Sequence, residues 1–97
     1  MVRYVMLVKF TEKGLANIGD SVARKEAFQK AAKQAGAKVE SVFWTLGEYD
    51  GVLIYSAPDE TTAVALALDV GKLGNVRTCL LRAFDVDEFK KVLSKMA

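Results

Sequence analysis

In Thr45-Leu46-Gly47-Glu48-Tyr49-Asp50-Gly51, two carboxylates and a phenol lie between two glycines, and that tip separates two apolar, strand-like runs. Carboxylates and phenols accept and donate protons, so Asp50 and Tyr49 are the groups that would move one if the chain catalyses anything. Arg24, Arg77 and Arg82 are the cations that would hold an anion beside them. Histidine is absent from all 97 residues, which removes a Ser-His pair, a histidine-ligated haem and most zinc sites. Glu48 and Asp50 alone offer too few ligands for a metal, so neither a metal nor a cofactor is expected. The surviving chemistry is cofactor-independent acid–base work or plain ligand capture.

The elements that must position these residues follow from periodicity. Arg3 to Phe10 alternates Tyr4, Met6, Val8 and Phe10 with Val5 and Leu7, the period of a strand packed on both faces. Asp20 or Ser21 can cap a helix that runs to Ala35 and stops at Gly36. Second and third strands are expected over Lys38 to Leu46 and Gly51 to Ala57, joined as a hairpin by the glycine-bracketed tip. Pro58 suits the first turn of a second long helix, with Asp59 and Glu60 at its positive end and Gly71 and Gly74 marking its finish. Asn75 to Phe84 reads as a fourth strand. Asp85 and Glu88 have capping-box spacing and open a terminal helix with Val86, Phe89, Leu93 and Met96 on one side.

That order is the split βαβ, or ferredoxin-like, plan: an α+β fold with βαββαβ order, a four-stranded antiparallel sheet, two helices on one face and a short C-terminal helix. The hairpin tip, Lys9-Phe10-Thr11 with Gly14, Arg24, Gly36, Ala57-Pro58-Asp59, Val76-Arg77-Thr78 and Leu81-Arg82-Ala83-Phe84 together resemble the GYD-domain family across nearly the whole chain. The resemblance implies a small self-associating ferredoxin-like domain over residues 1–97, a dimeric α/β barrel by the habits of the fold, and it names no reaction. In this topology Lys9 to Gly14, Arg24, Glu48-Tyr49-Asp50 and Asn75-Val76-Arg77 gather at one end of the sheet.

Arg24 falls on the apolar stripe of its helix with Ala27, Phe28, Ala31 and Ala35, so it needs a partner, and Asp50 or Glu48 is the natural one. The plainer alternative is a structural clamp of hairpin on helix. Asp50 has a plainer role too, as a turn former before Gly51. Tyr49 is expected to pack on a partner subunit or a ligand. Thr11-Glu12-Lys13-Gly14 lacks the glycine density of a phosphate loop and reads as a turn.

Two helices cover one face of such a sheet, yet both strand registers are apolar. The first, with Val5, Leu7, Val42, Leu46, Val52, Ile54, Cys79 and Leu81, is assigned to the helices. The second, with Tyr4, Met6, Val8, Phe43, Thr45, Leu53, Tyr55, Thr78, Leu80 and Arg82, is assigned to the open side. An open face of that kind needs a cover, and a second copy is the simplest. Thr45, Tyr55, Thr78 and Arg82 then join Arg24, Glu48, Tyr49, Asp50 and Arg77 as residues that would line a ligand cavity between sheets.

A net charge of +2 argues against nucleic acid or an acidic membrane as partner, and the lysines of the first long helix form a solvated face. The run Ala63 to Leu68 is too short to span a bilayer and the N-terminus enters a strand directly, which points to the cytoplasm. Cys79, the single cysteine, reads as a small buried hydrophobe. The leading function is a homo-oligomeric small-molecule-binding or regulatory domain. A small monooxygenase- or isomerase-like enzyme and a structural self-assembly module are the alternatives.

Overall fold

The computed structural model describes residues 1–97. β1 (Val2–Phe10) leads into a short helix α1 (Glu12–Ala16) and a single 3-10 turn at Ile18–Asp20. The long helix α2 (Ser21–Gln34), the hairpin β2 (Lys38–Trp44) and β3 (Gly51–Ala57), helix α3 (Glu60–Lys72), β4 (Val76–Ala83) and α4 (Val86–Ser94) follow. The sheet order is β2-β3-β1-β4 with every neighbouring pair antiparallel, which is the expected ferredoxin-like plan.

Local chemistry sets the helix ends. Asp59 is the N-cap of α3, accepting the Thr62 N–H at 2.8 Å, so Pro58 stands just outside the helix and not in its first turn. Asp85 and Glu88 close the expected capping box at α4, with bonds of 2.8 and 3.1 Å. Gly36, at φ 77°, reverses the chain after α2. Asp20 sits at the N-cap of α2 without a side-chain cap, and the Ser21 hydroxyl donates to the Ile18 carbonyl at 2.7 Å across the preceding 3-10 turn.

The core lies between the sheet and helices α2 and α3. Tyr4, Met6, Val8, Tyr55 and Ala57 from the strands meet Phe28, Ala32, Ala63, Leu66 and Ala67 from the helices. The face assignment from spacing is therefore reversed on β1, β3 and β4, where Val5, Leu7, Val52, Ile54, Cys79 and Leu81 lie on the open side, whereas on β2 it holds: the register shift at Glu40 sets Val42 opposite Leu53 on the covered side and Phe43 opposite Val52 on the open side. The reason is volume. Helices that present alanines need bulky strand residues beneath them, and Met6 and Tyr55, both 0% exposed, supply that bulk. Tyr55 reaches far enough for its hydroxyl to donate to the Ala63 carbonyl at 2.8 Å, while Phe28 meets its ring edge-on at 5.6 Å. Cys79 is exposed on the open face and not buried.

α4 buries nothing: Phe89 and Leu93 are exposed on it and Met96 just beyond its end. What ties it to the sheet is charge. Arg3 spans both Glu40 oxygens at 3.0 and 3.2 Å and reaches Glu88 at 3.3 Å, while Arg82 approaches Glu88 at 3.7 Å. Glu40 is the extra residue at the β2 register shift between Val39 and Ser41, and it also accepts the Ser56 hydroxyl at 3.1 Å. No helix is long and apolar enough to cross a membrane.

Candidate functional site

At the end of the sheet where β1 finishes, the hairpin tip is bound into the scaffold. Asp50 Oδ2 accepts the Phe10 N–H at 2.8 Å, and the Asp50 N–H donates to the Val8 carbonyl at 2.8 Å, so this residue extends the β1–β3 ladder with both backbone and side chain. Thr45 closes the loop from within, its hydroxyl donating to the Tyr49 carbonyl at 2.6 Å. Tyr49 lies under the Lys9 ammonium at 5.3 Å from the ring centre, and Lys9 pairs across the strand with Arg77. Glu48 is exposed and forms no ion pair.

Beside it, Thr11 to Gly14 grips the far end of α3. The Thr11 hydroxyl donates to the Gly74 carbonyl at 2.6 Å, and Lys13 Nζ to the Leu73 carbonyl at 2.8 Å. Gly14 is required at this crossing because a Cβ there would stand 2.0 Å from the Asn75 carbonyl oxygen. The segment is thus a helical strap, α1, capped by Thr11, and holds the α3–β4 connection against β1.

A cavity of about 240 Å³ opens between the helix layer and the sheet at this same end. Its floor includes Met6, Val8 and Leu53, and its sides Phe28, Leu66 and Val70. α2 packs on the sheet through Phe28 and Ala32 and borders the cavity with the methyl side chains of Ala27 and Ala31, which are too short to close the gap. Of its 20 lining residues 14 are hydrophobic, and the polar ones are Ser21, Arg24, Lys25, Asp69 and Asn75, with Gly51 making up the rest.

Arg24 is held at this site by α2 and does not reach the hairpin. Its guanidinium donates to the Asn17 carbonyl at 3.0 Å and the Ser21 hydroxyl at 3.2 Å, and it forms no ion pair with Asp50, Glu48 or any other carboxylate. The topology brings Arg24, Phe10, Asn75 and Val76 together around one cavity, as the gathering of this sheet end requires, but without the expected carboxylate–guanidinium pair.

The remaining candidates divide by position. Tyr55 is fully buried, and burial pushes its phenol up to about 12. Thr78 lies opposite Val8 on β4, half-exposed. Arg82 is at the other end of the sheet, 4.5 Å from the Phe84 ring and 5.7 Å from that of Tyr4, with its Nη1 donating to the Arg3 carbonyl at 3.2 Å. None of Tyr49, Asp50, Tyr55, Thr78 or Arg82 lines the cavity.

Residues 4–93 match the GYD domain family model. The chain belongs to the GYD domain family. Among solved structures, this GYD domain is similar to TTHA0845 from Thermus thermophilus, with a TM-score of 0.57 and 22% sequence identity over 89% of this chain and 96% of that one. At that identity the likeness shows the fold. No curated protein sequence matches the chain.

The cavity-lining polar residues that spacing alone misses are Lys25 and Asp69, together with the small-residue edge at Ala27 and Ala31, whereas topology already places Asn75 at this end of the sheet. A signal was present in part. Ala27 and Ala31 lie one turn apart with Arg24 one turn before them, so a shallow stripe with a cation at its mouth is readable. That it faces a void depends on β2, β3 and α3, which are distant in sequence.

Proposed function

We propose that this GYD domain is a self-associating small-molecule-binding domain whose ligand site is the cavity between α2, α3 and the sheet. The cavity itself carries the reading: it is apolar, sits within one chain and is bordered by a few polar groups, the usual make-up of a small-ligand site. Its volume falls below the roughly 300–1,000 Å³ of sites for drug-sized compounds, which fits a small ligand.

Self-association is supported by what one copy leaves uncovered. Seventeen large hydrophobic residues are exposed against eleven in the core, and they include Phe43 and Leu81 on the sheet and the whole apolar side of α4. The sheet residues among them, with the open register of Val5, Leu7, Val52 and Ile54, form an apolar face of the kind that marks an association surface. A second copy laid against the open sheet covers it by the simplest symmetric route. Binding is favoured over turnover because the only carboxylate in the cavity lining is Asp69, which is paired with Lys72 at 3.1 Å.

Native mass spectrometry of freshly purified protein tests both parts. The expected result is a dimer or higher oligomer carrying a discrete extra mass that mild denaturation releases, with Ala31→Phe losing the extra mass and keeping the oligomer. A monomer overturns self-association. An extra mass that survives Ala31→Phe overturns the cavity as its site.

A further inference from the structure

Resting on that reading of the cavity, we propose that its ligand is a small apolar monocarboxylate whose head group docks on Arg24. A guanidinium has five N–H donors, and only two bonds from Arg24 are satisfied by the protein, to Asn17 and Ser21. Those two bonds fix the side chain at the cavity edge, so its remaining donors are pre-positioned and little freedom is lost on binding. Arg24 is half-buried and has no carboxylate partner in the protein, an arrangement that leaves a cation in want of an anion.

The charge around the mouth selects the class of ligand. Arg24 and Lys25 have no ion-pair partner, whereas the one acid, Asp69, is exposed and paired with Lys72. A cationic ligand would meet two positive groups and no free carboxylate. A phosphate dianion would find one guanidinium and one ammonium but no glycine-rich loop of backbone N–H groups. A single carboxylate matches the fork of one guanidinium. The body of the ligand is apolar because Met6, Val8, Phe28, Leu66 and Val70 offer it no hydrogen-bonding partner.

The test uses an isosteric pair, 4-phenylbutyrate and 4-phenylbutyramide, titrated into isotopically labelled full-length protein and followed by the amide resonances of Phe28 and Val70. The acid is expected to bind about tenfold or more tightly than the amide, the discrimination a charge-assisted bond supports. Arg24→Gln should bring the two within about threefold of each other, and Arg24→Lys, which keeps the charge without the fork, should retain only part of the preference, which separates charge recognition from damage to the fold. Equal binding of acid and amide by the wild type, or a preference that survives Arg24→Gln, overturns the monocarboxylate assignment and leaves the cavity as a ligand site. Failure of both probes to shift those resonances at millimolar concentration, or shifts unchanged by Ala31→Phe, overturns the cavity reading and this proposal with it.

Discussion

The hairpin tip and the mouth of α2 lie at the same end of the sheet and put their charges to opposite uses. In the hairpin, Asp50 binds the Phe10 N–H, Thr45 binds the Tyr49 carbonyl and Tyr49 receives the Lys9 ammonium. At the mouth of α2, Arg24 is oriented by two neutral oxygens and faces an apolar cavity with no acid of its own. A dense run of reactive side chains in sequence therefore does scaffold work here, and the open site is assembled from residues spread between Met6 and Val76. The lesson is that partner accounting, and not residue type, separates structural from functional charge.

Breaking the scaffold side of that comparison should have the largest effect. Gly14→Ala forces a carbon against the Asn75 carbonyl, a backbone atom that cannot swing aside, and should cost about 3 kcal/mol, at the upper end of overpacking penalties, read by urea denaturation. Asp50→Ala removes the carboxylate from the Phe10 N–H and should cost about 2 kcal/mol in the same measurement. Arg24→Gln should cost under about 1 kcal/mol, since its two bonds are to partly exposed neutral oxygens, while removing the preference for the acid probe. A stability loss at Arg24 equal to that at Asp50 would erase the distinction between the two regions.

Tyr55 sharpens the comparison from the core. Its pKa stands at about 12 when folded against an ordinary 10.0, because burial disfavours the phenolate. Between those values the unfolded chain has lost the proton and the folded chain retains it, so stability falls as pH rises from about 10 to about 12 and is fully present below that window. Tyr55→Phe should reduce this alkaline slope, leaving the part that belongs to Tyr4, whose phenol burial also raises, and cost about 1 kcal/mol at neutral pH for the lost bond to Ala63. Chemical denaturation at a series of alkaline pH values checks both statements, and a slope unchanged in the variant would assign it elsewhere. The smallest effect belongs to Glu48→Gln, expected within about 0.5 kcal/mol of wild type and without influence on ligand binding, because that carboxylate is exposed, forms no ion pair and does not line the cavity.

Much of the scaffold was legible because its signals are local. The capping box at Asp85 and Glu88, the glycine after α2 and the exact span of β3 each depend on residues a few positions apart. The strap α1 was not legible as a helix, since five residues have little periodicity and its grip on Leu73 and Gly74 crosses some sixty positions of chain. Arg24 was legible as a residue needing explanation, but its partner was not: Asn17 offers a backbone carbonyl, and every residue type has one.

The sequence by itself determined the order of elements, the antiparallel plan and the family, because alternation, helical stripes and caps are written in neighbouring residues. Only the tertiary structure decided which sheet face is covered and where the empty space lies. With both strand registers apolar, period two identifies two faces without ranking them. The ranking comes from three-dimensional volume: alanine-lined helices draw Tyr4, Met6 and Tyr55 beneath them, and beside Ala27 and Ala31 no side chain is large enough to fill the gap.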